Sequence, residues 1–261
     1  MSSVSIVVPT RNRPDELADA LDRVARQLHP ELELVLVRDG GSALGERAIE
    51  RLGRLEFPAI VLEHEDPPHG LAASRNRGIE ATRGDAIAFL DDDDLWEPGH
   101  VGRLAAALDR DPELDVVYSD AWILDEAGGQ RRTLARDFDP AVFGRDSFIP
   151  PSAMAARRRA FDRFGFFDAE IPYSEDWDWL MRVVTGGGRI ARVPGASVTI
   201  RIHAGGMSQL HDPVRLAARQ QSLDLISSRY HLAPIKPKTF WEVAGDLCPG
   251  STCPQPNEST R

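Results

Sequence analysis

The run Asp91–Asp94 is the strongest candidate for chemistry in this sequence. It directly follows a short apolar stretch, Ala86–Leu90, of the kind that forms a buried parallel strand. Open α/β sheets bind ligands at the carboxyl ends of their strands, which is where these carboxylates would lie. Four adjacent carboxylates repel one another unless a cation is present. Hard oxygen donors without cysteine indicate Mg²⁺ or Mn²⁺, held by one or two carboxylates together with substrate phosphates.

Other polar side chains are also expected at this edge of the sheet, because they follow or precede predicted strands. They are Pro9, Thr10, Arg11 and Arg13 after the first strand, Asp39 after the second, and Arg75 near the start of the helix before the fourth. Asp39 stands next to two glycines, so it either makes a turn or accepts an N–H from a nucleobase. Arg75 is either solvated or holds a diphosphate through two parallel hydrogen bonds.

A second group of candidates lies in the segment YSEDWDW. Glu175 and Asp176 fall in the first turn of a predicted helix, whose dipole stabilises acids and would keep Asp176 ionised, as a general base must be. Trp177 either stacks on a sugar ring or packs in the core. His203 follows a predicted strand and is a candidate metal ligand, although a lone histidine is more often structural.

Composition bounds the class of protein. The chain has 261 residues, 42% of them hydrophobic, and a formal net charge of -10. This balance fits a soluble globular protein and argues against nucleic-acid or anionic-membrane partners, which require a basic surface. No apolar stretch is long enough to span a membrane, and the N-terminus does not resemble a signal peptide. The two cysteines, Cys248 and Cys253, exclude a disulfide scaffold, so we expect a cytoplasmic protein.

Strands and helices are expected to alternate in the first half, which predicts a parallel sheet with helices on both faces. The predicted strands are Val4–Val8, Leu34–Val37, Ala59–Leu62 and Asp85–Leu90, and the helices begin at Pro14, Ala43 and Leu71. Leu17, Leu21, Val24 and Leu28 share the buried face of the first helix.

After Asp94 the regular alternation of strands and helices ends. There we predict helices at Pro98–Leu108, Arg158–Phe164, Ser174–Val184 and Pro213–Arg229, and strands at Val116–Tyr118, Ile190–Val193 and Val198–Ile202. We also predict a cap at Ser174, an irregular or hairpin segment at Ala121–Leu134, and an extended tail from His231.

Six segments, taken in order, resemble the family 2 glycosyltransferases of the GT-A fold. They are SIVVPTRNRP, LVRDGG, LAASRNRGI, IAFLDDDDLW, GFFD and YSEDWDWLMRV, and the resemblance extends over about Val4–Ser208. It implies a mostly parallel central sheet flanked by helices, with a smaller acceptor-side sheet and a C-terminal helix. It further implies a GT-A domain over 1–230, with a nucleotide-sugar-binding half at 1–120 and an acceptor and catalytic-base half at 121–230, followed by a tail at 231–261.

The resemblance also implies an activity: transfer of a sugar, with inversion, from a nucleoside diphosphate to an acceptor hydroxyl. A UDP-sugar is the favoured donor, and the acceptor is a small molecule or a glycan. A homodimer is compatible with this assignment.

The resemblance also implies roles for the residues that match the family's motifs. Thr10 and Asp39 contact the nucleobase, Arg75 lies near the donor, Asp176 is the general base, Glu175 and Trp177 lie on the acceptor side, and His203 adds a metal ligand. The metal-binding DXD motif falls on Asp91–Asp93, either as Asp91/Asp93 or as Asp92/Asp93, and Asp93 belongs to both registers.

Two other functions remain open at the level of sequence. A sugar nucleotidyltransferase also combines a nucleotide-binding sheet with metal-bound carboxylates, but it would carry a glycine-rich basic loop where this chain has PTRNRP. A catalytically inactive nucleotide-sugar-binding protein is the other alternative. The presence of both the aspartate run and Asp176 argues against it.

Overall fold

The computed structural model describes residues 1–64, 67–203, 206, 212–250 and 253–254. Its first half alternates strands and helices. These are β1 (Val4–Thr10), α1 (Pro14–Ala25), β2 (Leu32–Asp39), α2 (Glu46–Leu52), β3 (Ala59–His64), α3 (Leu71–Ala81) and β4 (Ala86–Phe89). The strands pair in parallel in the order β3-β2-β1-β4. Every residue of β1 and β4 is buried, as expected for parallel strands covered on both faces.

The second half extends this sheet with strands of mixed direction. Its elements are β5 (Leu95–Trp96), α4 (His100–Arg110), β6 (Val116–Asp125), β7 (Gln130–Leu134), α5 (Pro140–Phe143), β8 (Met154–Arg157), α6 (Arg158–Phe164), α7 (Glu175–Thr185), β9 (Ile190–Ile202), α8 (Pro213–Arg229), α9 (Phe240–Leu247) and β10 (Cys253–Pro254). The sheet continues from β4 through β8, β6 and β7 to β10, and each of these pairs is antiparallel. β9 lies beside β6 in parallel and pairs with the short β5 in antiparallel fashion.

This topology brings the end of β9 to the same edge as the end of β4. β8 runs against β4, and β6 runs against β8, so β6 has the direction of β4 again. Because β9 is parallel to β6, its last residue, Ile202, lies at the edge where β4 ends. His203 therefore reaches the same region as the aspartates, although the two are far apart in the sequence.

Helix α3 packs closely on the sheet because of a glycine. A Cβ on Gly78 would overlap the side chain of Val7 in β1, so only glycine allows this approach without a shift. Arg75 lies one turn earlier on the same helix and is almost completely buried. The contact between Gly78 and Val7 thus helps to fix the position of Arg75 over the edge of the sheet.

Several predictions from the sequence are confirmed by the structure, among them the parallel sheet, the β6–β7 hairpin and the bounds of α6 and α8. Others are wrong. Leu28 is 79% exposed because α1 ends at Ala25. Ser174 has a left-handed backbone (φ 63°) and makes no side-chain cap. The two strands predicted between Ile190 and Ile202 form one strand, whose register with β6 shifts beside Asp120.

The prediction of an extended tail from His231 is also wrong, because α9 is a helix. Its N-terminus has a complete capping box, in which Thr239 and Glu242 each accept a backbone N–H of the other. The Arg132 guanidinium of β7 lies 4.1 Å from the ring centre of Trp241, and its Nη1 donates to the Trp241 carbonyl at 2.8 Å. Cys248, just after α9, is a free thiol that contacts the backbone of Ala135.

None of the helices in the described ranges combines the length and the apolar character that crossing a bilayer requires.

Candidate active site

A cavity of about 770 Å³ opens at the carboxyl edge of β1, β2 and β4. α7, the end of β9, α8 and the segment leading into α9 close its other sides. All candidate site residues from the sequence line this one cavity: Pro9, Thr10, Arg11, Arg13, Asp39, Arg75, Asp91, Asp92, Asp93, Glu175, Asp176, Trp177 and His203. Their convergence is observed, while their individual roles stay predictions.

Arg75 joins the two halves of the cavity. Its Nη2 donates to Asp91 Oδ1 at 2.5 Å, and its Nη1 forms an ion pair with Glu175. Burial by itself would lower the pKa of Arg75, but the carboxylates of Asp91 and Glu175 raise it, so the guanidinium stays charged. Burial raises the pKa of Glu175 to about 7, against the opposing effect of Arg75. In this structure Arg75 thus neutralises carboxylates on both sides instead of being solvated.

The four aspartates divide into two kinds. Asp92 and Asp94 are buried, while Asp91 and Asp93 remain partly exposed to the cavity. Asp92 accepts from Thr10 Oγ1 at 2.7 Å and from Arg13 Nη1 at 3.0 Å, and burial raises its pKa to about 6. Asp94 accepts from the Ser152 hydroxyl at 2.6 Å and from the Arg201 backbone N–H at 3.1 Å. The chain is not extended here, because Asp92 and Asp93 lie in a turn in which the Asp94 N–H donates to the Asp91 carbonyl at 3.0 Å.

Asp93 lies between two basic side chains. Arg13 Nη1 is 2.5 Å from Asp93 Oδ2, and His203 Nε2 shares a hydrogen bond with the same oxygen at 2.9 Å. This hydrogen bond raises the pKa of His203 above its ordinary value. The carboxylate and the imidazole therefore already face the same point of the cavity.

The donor chemistry fits a hard divalent ion that arrives together with a phosphate. Within the described ranges, no group of three or more His, Cys, Asp or Glu side chains is arranged as a metal site. Mg²⁺-type sites commonly take only one or two carboxylates from the protein and complete their coordination with water and substrate phosphates. Asp93 and His203, whose Oδ2 and Nε2 atoms lie 2.9 Å apart, can supply such a partial set of one oxygen and one imidazole ligand, and a ligand role for Asp91 stays a prediction.

Asp176 lies at the N-terminus of α7 and is partly exposed in the cavity. Burial raises its pKa, while the charge of Arg75 acts in the opposite direction. Trp177 is 4% exposed, and its Nε1 donates to the Phe143 carbonyl at 2.9 Å. The core-packing alternative therefore describes most of the Trp177 surface, although the residue still contributes to the lining of the cavity.

Asp39 fixes the loop that leads into α3. Its two carboxyl oxygens accept the backbone N–H groups of His69 and Gly70 at 2.8 and 2.9 Å. This is the turn-making alternative for Asp39, and contact with a nucleobase stays a prediction. Gly70 has a φ of 92°, which glycine adopts readily, and α3 starts at the next residue.

The sequence predicted that Phe143–Ser152, the Trp177 region and the tail form the acceptor side, but it did not single out several side chains there and in α8. Cationic side chains from the second half contribute to the cavity: Arg145, Arg215, Arg219, Lys236 and Lys238. The sequence also did not single out Ser152, whose hydroxyl accepts the Asp91 N–H at 3.0 Å and so holds the aspartate run in place. Isolated arginines, lysines and serines have no local pattern that distinguishes them from surface residues.

The mixed sheet and its flanking helices have the GT-A fold found in glycosyltransferases. The chain belongs to glycosyl transferase family 2, whose family model matches residues 5–165. A Bacillus subtilis relative, the uncharacterized glycosyltransferase YwdF, is 33% identical over 248 residues, or 91% of this chain and 87% of YwdF. A Mycobacterium bovis relative, a PGL/p-HBAD biosynthesis glycosyltransferase, is 30% identical over 205 residues and 78% of each chain.

Solved structures share the fold. S. aureus TarS 1–349 in complex with UDP-GlcNAc matches with a TM-score of 0.71 at 21% identity, over 87% of this chain and 66% of that one. The mannosyltransferase PcManGT from Pyrobaculum calidifontis, in complex with GDP-Man and Mn²⁺, matches with a TM-score of 0.66 at 17% identity, over 87% and 64%. The chain spans 39% of a longer TarS structure. At these identities the similarity concerns the fold.

Proposed function

We propose that this protein transfers a sugar from a nucleoside diphosphate to an acceptor hydroxyl with inversion at the anomeric carbon. The observation that carries the proposal is the shared cavity, in which Arg75 connects Asp91 to the helix that bears Asp176. In this proposal the edge of the parallel strands holds the donor, and Asp176 is the general base that acts on the acceptor.

On the donor side, we assign the nucleotide to the segment from Pro9 to Arg13, together with Asp39 and Arg75. The exposure of Asp91 and Asp93, with Asp92 buried, favours the Asp91/Asp93 register for the metal ligands. A UDP-sugar is our first choice of donor because the TarS structure with the TM-score of 0.71 was solved with UDP-GlcNAc. A GDP-sugar is the second choice, because PcManGT was solved with GDP-Man and Mn²⁺.

The proposed reaction is a single displacement. The acceptor oxygen forms a bond to the anomeric carbon, the bond from that carbon to the diphosphate oxygen breaks, and the acceptor proton passes to the Asp176 carboxylate. A raised pKa makes Asp176 a stronger base than an ordinary aspartate. A divalent ion at Asp91, Asp93 and His203 would supply positive charge to the leaving diphosphate. Arg75 contributes a fixed positive charge beside the same carboxylates.

Two measurements test this function. Calorimetry with UDP should give binding in Mn²⁺ that is lost in EDTA. Incubation with α-linked UDP-sugars and pooled acceptors should release UDP and give a β-linked product by NMR. Absence of UDP release with every donor and acceptor would contradict transferase activity, and an α-linked product would contradict the inverting mechanism. UDP binding without Mn²⁺ would remove the role of the aspartates in holding the metal.

A further inference from the structure

One wall of the cavity is cationic and comes from the C-terminal part of the chain. Residues 212–250 contribute seven lining side chains, of which three are apolar: Leu223, Phe240 and Val243. The other four are Arg215, Arg219, Lys236 and Lys238, which we call the C-terminal wall. The same segment contains Asp212, Asp224, Glu242 and Asp246, and none of these acids lines the cavity. In a chain with a net charge of -10, this segregation of cations toward the cavity requires an explanation.

The wall is held in place by contacts between α8 and the segment that follows it. Arg219 Nη2 donates to the Lys238 carbonyl at 2.7 Å, and Gln220 Nε2 donates to the Ile235 carbonyl at 2.9 Å. Lys238 Nζ lies 2.6 Å from Asp146 Oδ1, which also lines the cavity, and 3.0 Å from Asp246 Oδ2 of α9. These contacts hold the segment that carries the four cations in place.

Two cations of the wall are available to a ligand. Lys236 is exposed and makes no ion pair with any residue in the described ranges. Arg215 is exposed, and its ion pair with Asp212, the N-cap residue just before α8, is long, at 3.6 Å. Exposed pairs of this kind contribute little, so an incoming anion can displace Asp212.

The wall also lies on the side of the cavity where Asp176 is found. Burial lowers the pKa of Arg219, and the largest charge opposing this shift is that of Asp176. Arg229 of α8 also forms an ion pair with Asp178 of α7 at 2.7 Å, so the helix that carries Arg215 and Arg219 packs against the helix that carries the proposed base. The aspartates at the sheet edge have other cationic partners, Arg13 and Arg75. The C-terminal wall is therefore not needed to neutralise the donor edge.

We infer that the C-terminal wall binds an anionic group, a phosphate or a carboxylate, carried by the acceptor whose hydroxyl faces Asp176. The inference rests on the proposed function for the identity of the acceptor. Arginine can bind such a group with two parallel hydrogen bonds, and lysine adds a mobile point charge. The donor diphosphate has the same chemistry, so the experiment must distinguish the two sources.

The test uses the full chain with the double substitution Arg215→Gln and Lys236→Gln, both at exposed positions. The matched control is Arg26→Gln with Arg83→Gln, which removes the same charge at exposed residues that do not line the cavity. Each protein is applied, in the presence of UDP and Mn²⁺, to an array of paired neutral, phosphorylated and uronic-acid glycans. UDP affinity is measured separately by calorimetry.

We expect the wild type and the control to bind phosphorylated or uronic-acid glycans more tightly than their neutral partners. In the R215Q/K236Q protein the ratio of anionic to neutral binding should fall about tenfold, which corresponds to about 1.4 kcal/mol. UDP affinity should be the same in all three proteins. Equal retention of neutral and anionic glycans by the wild type would overturn the inference, as would an equal loss in the control. A loss of UDP affinity confined to R215Q/K236Q would assign the wall to the donor diphosphate. Anionic retention without any sugar transfer would instead contradict the proposed function and leave the anion site standing.

Discussion

Asp93 Oδ2 and His203 Nε2 lie 2.9 Å apart, although 110 positions separate the two residues in the chain. The contact exists because two successive antiparallel pairings restore the direction of β4 in β6, and β9 follows β6 in parallel. A carboxylate that follows β4, in the middle of the sheet, and an imidazole that follows β9 therefore meet at one point.

We predict that Asp93→Ala removes Mn²⁺-dependent binding of UDP. The site has few protein ligands, so removing one carboxylate leaves too little negative charge to hold the ion. Calorimetric titration of UDP in Mn²⁺ and in EDTA measures the effect. Asp15→Ala, at a carboxylate of α1 that is 79% exposed, makes the same change in net charge and should behave as wild type. Unchanged UDP affinity of D93A in Mn²⁺ would show that the metal, if bound, lies elsewhere.

Asp176→Asn should abolish sugar transfer while leaving donor binding nearly intact. General base catalysis contributes about 10² to 10⁴ in rate, and asparagine cannot accept the proton. UDP release in the presence of acceptor and UDP affinity are both measured. Asp162→Asn, at an exposed position of α6, is the matched control. A collapse of UDP affinity in D176N would move Asp176 to the donor site.

The rate of transfer should fall with decreasing pH at values above the ordinary range of an aspartate. Burial raises the pKa of Asp176, and only its ionised form can accept the proton. The turnover number is measured between pH 4 and pH 9 at saturating substrate, with circular dichroism at each pH to confirm that the protein is folded. A rate that stays constant through the acid range of a folded protein would be incompatible with Asp176 as the base.

Arg75→Met should destabilise the protein by roughly 3–5 kcal/mol, because it leaves the buried Glu175 carboxylate without its partner. Glu175 already has a pKa of about 7, and removing Arg75 would raise it further. The neutral form tolerates burial, so the loss should be larger at pH 8 than at pH 6. Urea unfolding at both pH values measures it. Arg54→Met, at a guanidinium that is 64% exposed, should cost less than about 1 kcal/mol. Equal losses for the two variants would mean that the pair with Glu175 does not form.

Gly78→Ala should destabilise the protein by about 1–3 kcal/mol, because the added methyl group overlaps Val7 and forces α3 from the sheet. Since Arg75 lies on the same helix, UDP release should decline as well. Gly102→Ala in α4 is the control, because its methyl group would meet no atom within 4 Å. The free energy of unfolding of this control should rise by about 0.5–1 kcal/mol, because alanine favours the helix over glycine. Thermal unfolding measures the stability of both variants, and their difference separates the cost of overpacking from the effect of helix propensity.

The first half of the fold was predictable because its signals are local. Continuous apolar runs such as Val4–Val8 define buried strands, and polar residues directly after them must lie at the carboxyl edge. The candidate residues Asp91 and Asp93 stand just after such a run, and Asp176 stands in another local pattern, the start of a helix in YSEDWDW. The same reasoning failed at Leu28, where the helical spacing of leucines continued past the end of the helix.

The rest of the site depends on contacts between distant parts of the chain. The partners of Arg75 lie 16 and 100 positions away, so the sequence could not choose between a solvated and a paired guanidinium. Helix α9 rests against Arg132, which is 109 residues from the Trp241 carbonyl that it contacts. The cations of the C-terminal wall also belong to this class, since only the docking of α8 and α9 turns them toward the cavity.

The ion pair between Lys238 and Asp146 joins the C-terminal wall to the rest of the cavity, and this division of the cavity has an evolutionary consequence. The donor edge is built from residues before 95, while the wall that faces it is built from residues after 212. Under the proposed assignment of donor and acceptor sides, we expect substitutions in this late segment to change which acceptors fit without altering nucleotide binding. A lineage could diversify its products by altering the last fifth of the chain alone, and closely similar N-terminal halves need not indicate the same product.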